Sequence, residues 1–559
     1  MKRVFLIAAM AVLSSVIHAE DAGIQKLTLT IVPGSGSVGE QFDFATTVEK
    51  RHYTEVVEVA SDEVEAAKSL LLQHENVRHV SETTPVSNPE PQNMIVPLSK
   101  AAFTNNPLFN DPGFVDQYAW VEGEEKTSLE GTPEGSSVQK AVKASETAEK
   151  LTIAVVDGGF HDVPSFQWKD GYNLVHPDND PAGLLPFGET FINSNEPGCG
   201  NNHGQRVASV IGGKQDDNLG NAGVIQNGVD ADFYAVRALN CNGSGFSTTV
   251  AEAIRYAAGD PNLVNPVNGD PVPRIDQPAD IINLSLGQST ETPCAQYQQD
   301  AIDYARSQGA VVVFAAGNTG RNQSLPPGNC DGVINVGATD QRGRPALFST
   351  YGPDLSYSAG GTNIPVMDEE GLAFASGTSF SAPLVSGILA NLWKDVPGLT
   401  ANQLRQFSLQ ATNDTPMLDQ DMGNGVLDAV KLQEKAIEAV APPDIQVKHP
   451  LGDDCVGAEK LAFFSEQDSS ACDMREVTLN TDLEAGQHIV VFETDGNYTT
   501  TAPGASVHQT SQSDIFLVDE WDQAKDYGVQ ICDSPDGTQC ASNIIEPLNL
   551  NSMDLACSR

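Results

Sequence analysis

The feature that most constrains the fold is a series of short, almost wholly apolar runs separated by helical segments. The runs are Ile153–Val156, Phe233–Ala238, Ile281–Leu286, Val311–Ala316 and Val333–Val336. Helical patterns near Ala208–Ile211, Thr249–Ala258 and Gln298–Gln308 lie between them. A strand with one wet face alternates apolar and polar residues. A strand that is apolar throughout is covered on both faces, as in a parallel sheet sandwiched by helices. The expectation is an α/β fold with a doubly wound parallel sheet. Such sheets carry their sites at the C-terminal ends of strands, where Asp157, Gly287 and Asn318 fall.

With 559 residues the chain exceeds one hydrophobic core. Lys2-Arg3, the apolar run Val4–Ile17 and Ile17-His-Ala19 read as a secretory signal over residues 1–19. The run is too short for a membrane anchor, so a secreted or extracellular destination is expected, with passage through a periplasm where there is one. The net charge of -44 disfavours nucleic acid and anionic membranes as partners and suits a solvated surface in salty or calcium-bearing media. Nine cysteines in an exported chain point to disulfides with at least one thiol left over, and none has the CxxC spacing of a zinc site.

Residues 20–100 read as a small βαβ-type unit. Tyr53–Val59 alternates like a strand, Asp62-Glu-Val-Glu65 has capping-box spacing before a helix through Leu72, and Asn76–Val80 is a second strand. Pro85–Pro91 reads as an exposed linker. Gly259–Ala279 is a proline-rich insertion expected on the face of the sheet away from the site. Beyond the linker Ala441–Asp444, residues 445–559 carry five cysteines and strand-like runs at His488–Phe492, Asp514–Val518 and Tyr527–Ile531, so a small β-rich C-terminal domain is expected, with no motif that assigns it a role.

The chemistry gathers in three places. Phe374–Pro383 brings an apolar lead-in to Gly377-Thr378-Ser379 and then a helix, so Ser379 stands at a helix N-terminus, where free N–H groups favour developing negative charge. Pro383 is expected in that helix's first turn. A serine needs a base. His203 opens an apolar helix after a Gly/Asn loop, unlike the nearby His161 and His176, and Asp157 ends the strand Leu151–Asp157. The order Asp, His, Ser, with Phe314-Ala-Ala-Gly-Asn318, resembles the subtilisin-like serine proteases, the subtilases.

That resemblance implies a secreted serine endopeptidase acting on protein or peptide substrates with no cofactor in the chemistry. Ser379 is the implied nucleophile, His203 the acid and base, Asp157 its orienting partner and Asn318 an oxyanion donor. Asn242, Gly243, Ser244 and Ser285, Leu286, Gly287 resemble the two segments that line the cleft and pair with an extended peptide. Residues 20–100 are similar to the inhibitory propeptide, with cleavage between Glu82 and Asn106, and the peptidase domain spans 106–440, opening at Asn106–Phe114. Pairings Cys199–Cys241 and Cys294–Cys330 would clamp loops around the site, as similar pairs do in some subtilases; exchange with C-terminal cysteines is the alternative. Gln215–Asn221 stands at a family calcium loop, so structural calcium through Asp217 is expected as readily as a plain acidic loop, with Ser165 where a second acid would be. Leu325 falls near a glycine at the floor of the specificity pocket.

The chain departs from the family at Gly158, Gln205, Arg206 and Phe380, where Thr or Ser, Thr, His and Met are usual. Gly158 removes a hydroxyl that would steady the acid. These departures keep two other readings open: a catalytically weak or silent scaffold that binds through its C-terminal domain, and an esterase or peptide ligase using the same acyl-enzyme.

Overall fold

The computed structural model describes residues 23–87, 96–97, 150–175, 202–225, 231–240, 242–266, 269–396, 398–413 and 421–440, and seven strands beyond residue 444. The leader, the Asn106–Phe114 segment, Cys199 and Cys241 lie outside the described residues. The chain divides into two compact units, Met1–Ala436 and Ile437–Arg559.

At the N-terminus, β1 (Ile24–Ile31), β2 (Thr46–Lys50), β3 (Thr54–Ala60) and β4 (Val77–Glu82) form a sheet in the order β2-β3-β1-β4. Helix α1 (Val64–Leu71) joins β3 to β4. Strand β1 runs antiparallel to both β3 and β4, so these two are parallel to each other with β1 between them. The expected strand–helix–strand unit is thus split by a strand that sequence patterning missed. Leu27, Leu29 and Ile31 of β1 pack with Val57, Val59, Leu71 and Val80. Thr28 and Thr30 on its other face are buried too, although Leu27–Ile31 alternates apolar and hydroxyl-bearing residues along the sequence. The capping box at Asp62–Glu65 does not form: Glu63 is the N-cap, its side chain makes no capping bond, and the helix begins at Val64. Two short strands follow, β5 (Pro85–Ser87) and β6 (Val96–Pro97).

The central sheet has nine strands: β7 (Leu151–Asp157), β8 (Asp170–Asn173), β9 (Ala231–Arg237), β11 (Ile281–Leu284), β12 (Val311–Ala315), β13 (Ile334–Thr339), β14 (Tyr357–Gly360), β17 (Thr412–Asn413) and β18 (Val426–Leu427). Their order is β17-β18-β14-β13-β12-β11-β7-β9-β8. All pairings are parallel except the edge pair β17–β18. The helices are α2 (His203–Gly212), α3 (Ser247–Ala257), α4 (Gln296–Ser307), α5 (Thr378–Asp395), α6 (Ala401–Gln410) and α7 (Ala429–Val440). One sheet face, through Ala154, Val156, Ile282, Leu284 and Phe314, packs on Val250 and Ile254 of α3 and Ala301 of α4. The alternating residues Ile153, Val155, Ile281 and Val313 are equally buried on the other face. That double burial explains the unbroken apolar runs.

Three smaller strands complete the first unit. β10 (Ser244–Phe246) pairs with β5, and β15 (Ile364–Asp368) and β16 (Gly371–Ala375) form a hairpin to which β6 adds. The Gly259–Ala279 insertion rejoins the sheet where Asp280 donates to Thr152 O, at the strands' N-terminal ends. In the second unit, β19 (Ile445–Lys448), β20 (Arg475–Leu479) and β23 (Ile515–Val518) form one antiparallel sheet. A second antiparallel sheet, in the order β22-β21-β24-β25, holds β21 (His488–Thr494), β22 (Ser506–Ser511), β24 (Asp526–Cys532) and β25 (Glu546–Leu548).

Cys294 and Cys330 form a disulfide across a separation of 36 residues, tying the approach to α4 to the approach to β13. Closing a loop of that length removes unfolded-state entropy worth about 3–4 kcal/mol. The double variant Cys294→Ser/Cys330→Ser in a Ser379→Ala background should lose about that much in urea unfolding. An unchanged midpoint would show that the bond contributes nothing to stability.

Candidate active site

The parallel register brings strand ends level. Val156 lies opposite Leu284, and Leu284 opposite Phe314, so Asp157, Ser285 and Ala315 follow at one edge of the sheet. Helix α2 begins against that edge. Its first N–H groups lack partners within the helix. Gly204 N donates to Gly158 O at 2.7 Å and Gln205 N to Gly159 O at 3.1 Å. A Cβ on Gly204 would sit 2.7 Å from Gly158 O and from the Phe160 ring, so only glycine allows this approach.

His203 is thereby placed over Asp157. Its Nδ1 lies 2.9 Å from both carboxylate oxygens, and both residues are buried. The Gly158 N–H donates to Asp157 Oδ1 at 2.7 Å. A Cβ at Gly158 would meet Leu239 Cβ and O at 2.9 Å. The departure to glycine therefore follows from close packing on Leu239, and a backbone amide does the work expected of a side-chain hydroxyl. The other two departures fasten α2. Gln205 Oε1 accepts from Trp168 Nε1 at 3.0 Å, and Arg206 Nε reaches Asp368 Oδ2 at 2.5 Å. His161 lies apart, with Nδ1 3.1 Å from Glu369 Oε2.

Ser379 is the second residue of α5 and is 2 % exposed. Phe380 beside it is fully buried, its ring centroid 6.0 Å from that of His203. Pro383 is the sixth residue of the helix, past the first turn where it was expected. Lacking an N–H, it leaves the Ser379 carbonyl without its helical partner. Ser285 Oγ supplies the missing donor at 2.8 Å, and Ser379 Oγ donates to Ser285 O at 3.4 Å. Asn283 Nδ2 in turn donates to Ser285 Oγ at 3.1 Å, and Ser386 Oγ to Asn283 Oδ1 at 2.9 Å. This buried chain links the end of β11 to the first and third turns of α5. It was not legible, because it depends on where the helix starts.

Asn318 follows β12. Its Oδ1 accepts from Thr378 N at 2.9 Å and Thr378 Oγ1 at 3.0 Å. The Thr378 amide can only donate, so Oδ1 must face it and Nδ2 must face away. Nδ2 is buried with no hydrogen-bond partner. A donor held in place and unspent, beside the Ser379 N–H at the start of α5, is the arrangement that receives a developing oxyanion.

Each of the two segments expected to line a cleft pairs in part with Pro85–Ser87. Asn242 and Gly243 form a turn closed by Asn240, whose Oδ1 accepts from Asn242 N and Ser244 N. Pairing begins at Ser244, with Ser244 opposite Ser87, Gly245 opposite Val86 and Phe246 opposite Pro85. On the other rim Gly287 exchanges two hydrogen bonds with Ser87, at 2.9 and 3.1 Å. Ser285 is committed to Ser379, and Leu286 is buried. Next to Ser379 a recess of about 20 Å³ is lined by Gly287, Ala316, Asn318 and Leu325 among others.

The acidic loop is held by its own hydrogen bonds. Asp217 Oδ1 accepts from Leu219 N at 2.8 Å, Gln215 turns its amide onto Gly223 O and Ile225 O, and Ser165 Oγ lies on Met367 Sδ. Among the described residues no three His, Cys, Asp or Glu side chains come together as a metal site.

The profile of the subtilase family (peptidase S8) matches residues 148–425. A thermophilic serine proteinase of a Bacillus species is 33% identical over 298 residues, 52% of this chain and 65% of that protein. A thermostable alkaline protease of Halalkalibacterium halodurans is 36% identical over 260 residues, 45% of this chain and 63% of that protein. Thermitase of Thermoactinomyces vulgaris is 35% identical over 240 residues, 43% of this chain and 74% of that protein. The chain belongs to the subtilase family. It spans just under two thirds of the first two relatives.

Ser285→Ala should strand the Ser379 carbonyl as a buried, unsatisfied acceptor. The expected cost is about 1–3 kcal/mol in chemical unfolding. Stability within a few tenths of wild type would mean that the carbonyl finds another donor.

Proposed function

We propose that this protein is a secreted serine endopeptidase made as a latent precursor. The observation that carries the reading is the Asp157–His203 pair, whose imidazole packs on Phe380 next to the helix-start Ser379, together with the unspent Asn318 amide. In this reading His203 takes the Ser379 proton as Oγ attacks a peptide carbonyl, and returns it to the leaving amine. The oxyanion is met by Asn318 Nδ2 and the Ser379 N–H. An acyl-enzyme forms, and water activated by His203 releases it. Asp157, fixed by the Gly158 amide, sets the imidazole tautomer. A fluorophosphonate probe should label Ser379 in the mature enzyme, and Ser379→Ala should abolish both labelling and casein cleavage. Asn318→Ala should lower kcat by about 10²–10³-fold, a figure that comes from subtilisin itself. Labelling at another serine would sink the assignment.

The N-terminal unit acts as the propeptide. Its support is the strand Pro85–Ser87, which lies between Ser244–Phe246 and Gly287 as an extended substrate does in strand addition. Val96 is pinned opposite Phe374 on the hairpin leading to Ser379. The bond cut in maturation therefore lies between Ser87 and Val96, within the wider range read from the sequence. Ser379→Ala should accumulate with this segment intact, and N-terminal sequencing of the wild-type fragments should find the first cut there. A first cut outside that interval would overturn the assignment.

Leu325 is 6 % exposed and helps to restrict the recess beside Ser379 to about 20 Å³, room for a methyl group or one water. Substrates with alanine before the cut bond should outperform those with phenylalanine. Leu325→Gly should reverse that order in kcat/KM, and an unaltered ratio would clear Leu325 of the role.

A further inference from the structure

Away from the cleft, the β2–β3 hairpin drives an arginine into the body of the protease. Arg51 has a side-chain exposure of 1%. Its Nη1 lies 2.5 Å from Glu252 Oε2, and its Nη2 donates to Thr249 Oγ1 at 3.0 Å and to Leu174 O at 3.4 Å. Glu49, from the hairpin itself, bonds Nε. Burial disfavours the charged guanidinium, yet the Glu252 and Glu49 carboxylates outweigh it and hold Arg51 above its ordinary pKa. Two residues on, the Tyr53 hydroxyl donates to Asp260 Oδ2 at 2.9 Å, and the Arg255 guanidinium lies 3.9 Å from the Tyr53 ring centre. Each side thus lends the other a cation. Beside this plug the interface is not filled: a cavity of about 370 Å³ lies between the N-terminal sheet and helices α3 and α4, lined by Tyr53, Arg78, Arg255 and Asp303 among others.

A desolvated ion pair differs from a surface one. Exposed pairs contribute little, but removing one partner of a buried pair leaves an uncompensated charge. We propose that Thr249, Glu252 and the Leu174 carbonyl form a guanidinium-accepting exosite on the protease body, with Arg51 of the N-terminal unit as its ligand. The exosite sets how long that unit stays bound once the connecting chain is cut. This rests on reading the N-terminal unit as a propeptide.

The test uses the full chain with two readouts. In the uncut Ser379→Ala chain, hydrogen exchange is followed in residues 46–60 and, as a reference, in β7 and β12. Arg51→Ala and Glu252→Gln should each speed exchange in 46–60 while the reference strands stay protected. In the self-cutting chain, the time from first cut to activity on a peptide substrate should shorten roughly a hundredfold for either variant, with Arg51→Lys in between. The combined variant Glu49→Gln/Arg51→Met/Glu252→Leu should restore slow release, since no charge is left unpaired. Glu252→Gln keeps the side-chain shape and is read in parallel, so misfolding of Arg51→Ala does not decide the matter. Wild-type exchange and release in Glu252→Gln would overturn the proposal. A wild-type chain that never cuts itself would instead overturn the protease reading, and the exchange experiment would still report on the exosite.

Discussion

The docking of the α2 N-terminus on the end of β7 is the contact on which the site depends. A helix must find acceptors for its first N–H groups, and a strand that ends must find donors for its last carbonyls. Here each need meets the other, through Gly204 on Gly158 and Gln205 on Gly159. The fit is so close that glycine is required at both 158 and 204. Fixing those two elements fixes Asp157 against His203 without further adjustment. A second joint, the paired hydrogen bonds between Ser285 and Ser379, ties the neighbouring strand end to the nucleophile helix. The site is therefore assembled from the ends of elements whose middles are buried apolar core.

Local features were readable. Strand ends, helix starts and unbroken apolar runs are written in contiguous residues, so Asp157, His203, Ser379 and Asn318 were expected at the element ends where they lie. What could not be read depends on residues far apart in sequence. Gly158 looked like a missing hydroxyl because Leu239 is invisible from its neighbours. Pro383 sits past the first turn because Ser285, a residue far off in sequence, supplies the donor that the proline lacks. Strand β1 was overlooked although Leu27-Thr-Leu-Thr-Ile31 carries the alternation of a strand in contiguous residues. Arg51, in a polar turn, gave no sign of burial, since its partners Thr249 and Glu252 come two hundred residues later.

The N-terminal sheet and the strand that follows it touch the rest of the first unit in two chemically different ways. The strand Pro85–Ser87 offers backbone hydrogen bonds, which any extended peptide can copy. The Arg51 hairpin offers a buried charge at a defined position, which a random substrate cannot. Affinity for sequences in general and affinity for one partner are thus carried by separate surfaces.

The strand β5 also has a consequence for the protein before it ever meets a substrate. Without it, two backbone edges, at Ser244–Phe246 and at Gly287, would face each other unpaired across a gap one strand wide. Open edges invite pairing with any exposed strand, including those of half-folded sister chains. A nascent molecule that carries its own strand in that gap has no sticky edge to offer. The segment is therefore a safeguard against aggregation during folding as much as a plug in the cleft.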